Sequence, residues 1–332
     1  MAYRLEAARC LCGTIAPPAR RVTARDAISG DAFTFERCGA CGVDVLNPRP
    51  VAEDIGQFYP ATYYAYQGDY GEREPRRRRL QRLVYDVYFA PPAERPMWVK
   101  LWRPVLAAVL LPIRRWPIIA FSPPHPRRIF EIGAAAGSDL MAFRSVGWET
   151  AGCELSAQAC EVARRRGFDL QNCPAEEAVL PPESVTCVLM NNVFEHLYDP
   201  PAVLAKAHAA LQDGGQLLLI VPNHDSWGAR LLGGYWAGYD APRHLFGFTP
   251  RTLGTLLAEH GFRVEFVQHR PAFAWLWRRA ALAWLAERRV HGPAARAASW
   301  AFAAVAMPLA LVAAALRRGD FIKVLARKHA AA

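Results

Sequence analysis

From residue 128 onward, short unbroken apolar runs take turns with segments whose apolar residues recur at helical spacing. Residues 128–132, 149–154 and 185–190 read as strands, and residues 216–221 as another after the Gly214-Gly215 turn. Between them, residues 137–146, 157–166 and 201–211 read as helices. Strands with no polar alternation are covered on both faces, so the pattern predicts an α/β protein with a doubly wound, mostly parallel sheet. A loop is expected over 223–248, then a helix over 249–260 ended by Gly261, a strand over 262–269 and a last strand over 320–328.

The remaining pattern divides the chain further. The first 60 or so residues are short-ranged, Cys-bearing and turn-rich, and end at Asn47-Pro48-Arg49-Pro50. A basic run, Arg76-Arg77-Arg78-Arg79, precedes an apolar, Trp-rich stretch over 97–121, where Pro104, Pro112 and Pro117 predict interrupted helices; Pro123, Pro124 and Pro126 read as a linker. The expected organisation is a Cys-bearing module over 1–65, a basic and apolar helical linker over 66–126, and the α/β domain over 127–332 with an apolar helical insertion at 271–317. Residues 297–316 carry no charge, long enough to cross a bilayer core of roughly 30 Å at about 1.5 Å per residue. They are also Ala-rich and interrupted by Pro308, so a span, a helix pair resting on a membrane and a buried lid all stay open.

Composition narrows the class. A 52% hydrophobic and 21% charged chain with 26 Pro and 23 Gly in 332 residues is neither collagen, coiled coil nor wholly disordered. The formal charge of +10 suits nucleic acid, an anionic membrane or an acidic substrate. Its arginine clusters flank apolar runs, which favours a membrane surface; the Arg76–Arg79 run is too short and isolated for a nucleic-acid face, so nucleic acid is not expected as a partner. The first residues lack an apolar stretch behind a basic start, and a cytoplasmic location, peripheral on the cytoplasmic membrane, is expected.

The chemistry concentrates where the first strand turns into a helix, Glu131-Ile132-Gly133-Ala134-Ala135-Ala136-Gly137. A dinucleotide fingerprint would place Gly at relative positions 1, 3 and 6, but only Gly133 of Gly133, Ala135 and Ser138 fits, and no Gly-Lys-Ser/Thr follows. The segment resembles the first motif of class I S-adenosylmethionine (SAM)-dependent methyltransferases, acid-x-Gly-x-Gly-x-Gly, in Glu131, Gly133, Ala135 and Gly137, with Ala replacing the middle Gly. Glu154, followed by Leu155, resembles the family's acid at the end of strand two, where a carboxylate can accept from both ribose hydroxyls. The resemblance continues through Ala175-Glu176, beside the adenine, through Asn191-Asn192-Val193-Phe194-Glu195-His196 after strand four, and through Gly214-Gly215 and Val221-Pro222-Asn223. It covers about residues 127–269 and implies the Rossmann-like methyltransferase fold, SAM as cofactor, and Glu131, Gly133, Ala135, Gly137, Glu154, Leu155, Ala175, Glu176, Asn191 and Asn192 as its binding residues.

Cys10-x-Cys12 and Cys38-x-x-Cys41 form two close pairs that can present four thiolates tetrahedrally to zinc, or stay as reduced structural thiols. A subset of the same family carries such a ribbon, and the resemblance extends through Asn47-Pro48-Arg49-Pro50 to Phe58-Tyr59-Pro60 and Tyr63-Tyr64. Cys153, Cys160, Cys173 and Cys187 lack ligand spacing and are expected in the core. For a general base the candidates are His244, in a loop expected near the carboxyl edge of the sheet, and His196 beside Glu195. A related methyltransferase subset implies another role for the three, as ligands to a divalent metal. His208, His260 and His269 are expected to be structural. The resulting expectation is SAM-dependent methyl transfer to a small or lipid-linked, sugar-type acceptor near a membrane. The alternatives are a nucleic-acid-binding or nucleic-acid-modifying protein and a non-catalytic membrane scaffold on a SAM-binding fold.

Overall fold

The computed structural model describes residues 3–26, 28–59, 75–122 and 124–329. Pro60, Tyr63 and Tyr64 of the aromatic stretch, the side chains of Arg76 and Arg77, and Pro123 lie outside them. The chain forms two compact units, one of Met1–Pro60, Asn191–Leu204 and Leu219–Ala326, the other of Ala61–Met190, Ala205–Leu218 and Arg327–Ala332.

The Cys-bearing module is a small antiparallel assembly. Strand β1 (Leu5–Glu6) pairs with β5 (Arg49–Pro50), and β2 (Pro18–Arg25), β3 (Ala32–Cys38) and β4 (Asp44–Leu46) form a meander. Alternation along β3 sends Phe33 and Phe35 inward, and all three residues of β4 are buried.

Helices α1 (Pro75–Tyr88) and α2 (Met97–Leu110) pack through Val84, Val87, Val99 and Leu110. The expected break at Pro104 does not occur: α2 runs through it and ends before the 3-10 turn Leu111–Ile113, which holds Pro112. Packing of Val99, Leu106 and Leu110 outweighs the single hydrogen bond that a proline removes.

The α/β pattern follows: β6 (Arg128–Ile132), α3 (Ser138–Arg144), β7 (Glu149–Cys153), α4 (Ala157–Arg165), β8 (Val185–Asn191), α5 (Pro200–Ala210) and β9 (Leu211–Pro222). The segment expected as one loop over 223–248 contains helix α6 (Trp227–Leu232), capped by Ser226, and strand β10 (Phe246–Gly247), which pairs with β4. Both are too short to show a period. Helix α7 (Pro250–Glu259) starts with a capping box at Thr249 and Thr252; β11 (Phe262–Arg270), α8 (Ala274–Glu287), α9 (Gly292–Ala315) and β12 (Phe321–Lys328) complete the chain.

Six strands line up as β7-β6-β8-β9-β12-β11, with β6 parallel to both β7 and β8. Chain order reverses at β6, so the crevice beyond its carboxyl end is the topological switch point at which such sheets bind ligands.

Candidate functional site

The turn after β6 is built for close approach by a ligand. Gly133 and Ala134 donate their N–H groups to the Cys153 carbonyl at the end of β7, both at 2.9 Å. Gly137 adopts φ +75°, and a Cβ there would lie 2.9 Å from the Phe168 ring, so no side chain is tolerated before α3 starts. Ala135, the residue that departs from the glycine pattern, also sits in the left-handed region at φ +44°, a strain of roughly 1 kcal/mol. Its N–H donates to Glu154 Oε2 at 2.8 Å, while Ser156 N–H donates to Oε1 at 2.8 Å. Each carboxylate oxygen keeps a further acceptor site.

Burial pushes the Glu154 carboxyl up despite these donors. Glu131, one residue before the end of β6, is raised well above the carboxylate range by burial first, then by the charges of Asp139 and Glu154. Its Oε2 has no hydrogen-bond partner. The Asn172 amide donates to the Glu154 and Leu155 carbonyls at 2.9 Å, fixing the loop after β7. Lys206 donates to the carbonyls of Glu176 and Ala178, fixing the loop that carries Ala175.

Asn191 and Asn192, the remaining cofactor candidates, stand at the end of β8 in the other unit, where Asn192 adopts φ +53° and donates its N–H to the Ile220 carbonyl. That unit brings the three catalytic candidates together. The side-chain donor atoms of Glu195, His196 and His244 lie within 4.8 Å of one another. The imidazoles meet edge to face at 4.5 Å, and His244 Nε2 is 3.8 Å from Glu195 Oε1.

Carbonyl oxygens set both tautomers, because a carbonyl only accepts. Gly238 O takes the proton of His244 Nδ1 at 2.8 Å and Arg243 O that of His196 Nδ1 at 2.9 Å, with the Tyr59 hydroxyl also at 2.9 Å from His196 Nδ1. Each Nε2 is therefore left as a lone pair. Burial lowers His196 to about 4 and His244 to about 3, so both rings stay neutral, while burial pushes Glu195 up to about 8. Among the described residues, no neighbour donates a hydrogen bond to either Glu195 oxygen.

Arg243, itself fully buried, holds this loop. It makes a bidentate pair with Asp240 at 2.9 and 3.0 Å, reaches Asp26 Oδ1 at 3.0 Å and donates to the Phe58 carbonyl at 3.0 Å. Against the cost of burial, the Arg243 and Arg279 guanidinium groups hold Asp240 well below the carboxylate range.

In the same unit, all four sulfurs of Cys10, Cys12, Cys38 and Cys41 fall within 4.8 Å of one another, with Cys10–Cys41 at 3.3 Å and Cys12–Cys38 at 3.8 Å. Tetrahedral zinc at about 2.3 Å from each sulfur needs sulfurs about 3.8 Å apart. Burial raises Cys10 and Cys41, whereas N–H groups of Cys41 and Ala40 overcome burial and bring Cys38 down to about 7. Cys153, Cys160 and Cys187 are core residues as expected; Cys173 is only half-buried, because it follows the exposed turn at Asn172 rather than lying in a strand.

A sequence profile of the family described as "Methyltransferase domain" matches residues 79–267, more than half of the 332-residue chain. The chain belongs to the methyltransferase-domain family. Among solved structures the chain is similar to a SAM-dependent methyltransferase of Thermotoga maritima, 19% identical with a TM-score of 0.44 over 70% of this chain and 100% of that one. It is also similar to a SAM-dependent methyltransferase of Mesorhizobium loti, 18% identical with a TM-score of 0.41 over 60% and 90% of the two chains. An uncharacterized 37.1 kDa protein in transposon Tn4556 of Streptomyces fradiae is 33% identical over 107 residues; the alignment spans 29% of this chain and 30% of that protein.

The residues of the switch-point turn fit the cofactor of the family. SAM carries a positive sulfonium and an ammonium group, and the turn offers two buried carboxyls, one with an unpartnered oxygen, while the arginine that reaches the turn, Arg166, is spent on the Ala136 carbonyl at 2.7 Å.

One buried polar pair in this methyltransferase-domain chain was missed by sequence reasoning. His224 donates from Nδ1 to Asp44 Oδ2 at 2.8 Å, and Arg37 makes a bidentate pair with the same carboxylate. Gly247 leaves the space for the His224 ring, since a Cβ there would stand 2.0 Å from it. The two partners are 180 residues apart, and no local spacing announces them.

Proposed function

We propose that this methyltransferase-domain protein transfers a methyl group from SAM to a lipid-linked or hydrophobic sugar-type acceptor at a membrane surface. The observation that carries the reading is the buried Glu131–Glu154 carboxyl pair at a tight left-handed turn on the switch point of the sheet. SAM, when bound, supplies an electrophilic methyl group on a positively charged sulfur. Glu154 would accept from the ribose hydroxyls, and the loops at Leu155 and at Ala175–Glu176 would border the adenine. Within its own unit, His244 Nε2, a lone pair on an imidazole kept neutral by burial, is the group fit to act as a base, with the His196 ring packed edge to face against it. Cys10, Cys12, Cys38 and Cys41 would hold one structural zinc, since four thiolates leave no open position for chemistry.

A second reading of the His–Glu cluster is favoured by one observation: among the described residues no neighbour donates to the buried Glu195 carboxyl, and a ring nitrogen of each histidine lies within 4.8 Å of it. That donor set suits a divalent cation, with the carbonyl-held Nδ1–H groups orienting the rings. Titration with SAM followed by methyl incorporation from labelled SAM into lipid and aqueous extracts tests the main reading. Label in the lipid phase with release of S-adenosylhomocysteine is the expected result, and absence of SAM binding would sink it. Dependence of turnover on added divalent cation, lost in Glu195→Gln, would select the second reading for the cluster.

A further inference from the structure

Helix α9 is built inside out. Its buried residues include Ser299, Ala303, Ala306, Ala310 and Ala313, spaced by four and three, and this narrow face packs toward Trp277 of α8 and Ala272. The large apolar side chains point the other way: Val305 is 79% exposed, Leu316 59%, Trp300 55% and Val312 50%. In water this arrangement forfeits most of the gain available from burying those side chains. Where the surroundings are acyl chains the same arrangement is the ordinary one, because small residues let helices approach closely and large apolar residues meet lipid.

Charge says which surface covers the face. No charged residue lies between Arg296 and Arg317. Exposed Arg288, Arg289 and Arg296 stand at one end of the stretch and exposed Arg317 at the other, beside Arg318, which is paired with Asp225; the hairpin carries a single acid, Glu287, which is already engaged by Arg25 and Tyr235. Arg288 and Arg289 form the turn between α8 and α9, so tip-first crossing would drag two guanidinium groups through the hydrocarbon. One side of α9 is also covered by α8 within its own unit, which leaves one free face rather than a lipid-exposed cylinder.

We infer that α9 lies flat in the interface of an anionic bilayer, with Trp300, Val305, Val312 and Leu316 in the acyl boundary and Arg288, Arg289, Arg296 and Arg317 on lipid phosphates. The inference deepens the membrane side of the proposed function and does not rest on the methyl-transfer reading, because vesicle binding is read without turnover.

The test is co-sedimentation of the full chain with phosphatidylcholine vesicles, with and without phosphatidylglycerol, at low and high salt. Binding to the phosphatidylglycerol vesicles is expected, weaker by roughly tenfold or more without the anionic lipid or at high salt. Val305→Glu combined with Val312→Glu should abolish it with an unchanged melting temperature and unchanged SAM affinity. Arg296→Glu, outside the packed face, should weaken it by roughly tenfold or more and serves as the second variant if the first misfolds. Full recovery of the wild type in the supernatant at low salt overturns the inference. Wild-type affinity in both variants also overturns it, as does a dimer in solution that the double variant splits without any vesicle binding, which would give the face to a second copy of the chain.

Discussion

Glu154 is a carboxyl that the fold buries and then supplies with backbone N–H donors from Ala135, Ser156 and Leu155 but no side-chain cation, so it is ready for more. Glu154→Gln keeps the shape but offers one acceptor oxygen in place of two. SAM affinity should fall at least tenfold, in line with about 1.5–3 kcal/mol for a hydrogen bond to a charged group. Calorimetry on the purified variant checks this, and unchanged affinity would remove Glu154 from the cofactor site. Asp44 makes a different kind of statement. Burial alone would raise its carboxyl, but the hydrogen bonds from His224 and Arg37 outweigh it and hold it down at about 2. A depressed carboxyl stabilises the folded chain fully above its unfolded value of 3.8 and loses that contribution as pH falls through about 2. The shift corresponds to about 2 kcal/mol, so Asp44→Asn should lower stability in urea at neutral pH, with the gap to wild type closing between pH 5 and pH 2. A gap that stays constant on acidification would contradict it. Glu154 was legible in the sequence because the acid, the strand end and the turn are neighbours in the chain. Asp44 was not, since its meaning comes from His224, brought to it by folding alone.

Among the elements, those with a clear period were the ones that sequence placed best. Strand β6 falls on the expected residues, 128–132, and α7 within one residue of the expected bounds at either end. Strand β9 starts at Leu211, five residues before its expected start at 216, because Gly214 at φ +70° is carried inside the strand rather than ending it. The same confusion arose at Pro104 and Pro308, each of which lies inside a helix, since tertiary packing outweighs a propensity that local sequence cannot weigh against it. The Cys module is legible as spacing, yet its tightness comes from the turn that brings β3 back: Cys38 N–H donates to the Val43 carbonyl and Gly42 N–H to the Cys38 carbonyl. With four sulfurs this close beside a small core that includes Phe33, Phe35, Val43, Val45, Leu46 and Phe58, a bound zinc should add to the stability of this element. Purified protein should carry about one zinc per chain, and Cys38→Ser should lose the metal and lower the melting temperature. Full zinc occupancy in Cys38→Ser would mean that the ion sits elsewhere.

At the scale of the molecule, the Cys module shares one compact unit with residues 191–204 and 219–326, and its contacts there are buried rather than peripheral. Strand β4 pairs with β10, Leu46 N–H donates to the Leu245 carbonyl, and Asp26 and the Phe58 carbonyl supply two of the partners of Arg243. Tyr59 reaches His196 from the same segment. Removal of residues 1–60 would leave Arg243 buried with Asp240 as its remaining carboxylate among these partners, strand β10 without its neighbour, and His196 without the tyrosine. Leaving a buried charge short of its partners costs about 3–5 kcal/mol, a large share of the roughly 5–15 kcal/mol that holds a domain together. A chain starting at residue 61 should therefore fail to fold its 219–326 segment, seen as a lost cooperative transition by circular dichroism and as protease cleavage within 223–248. Asp26→Ala in the full chain should show a milder form of the same defect, with the melting temperature lowered and the imidazoles of His196 and His244 no longer held in one tautomer by nuclear magnetic resonance. A truncated chain that melts cooperatively at the wild-type temperature would mean that the module is an appendage, and that the buried Arg243 cluster draws its stability from Asp240 and Arg279 alone.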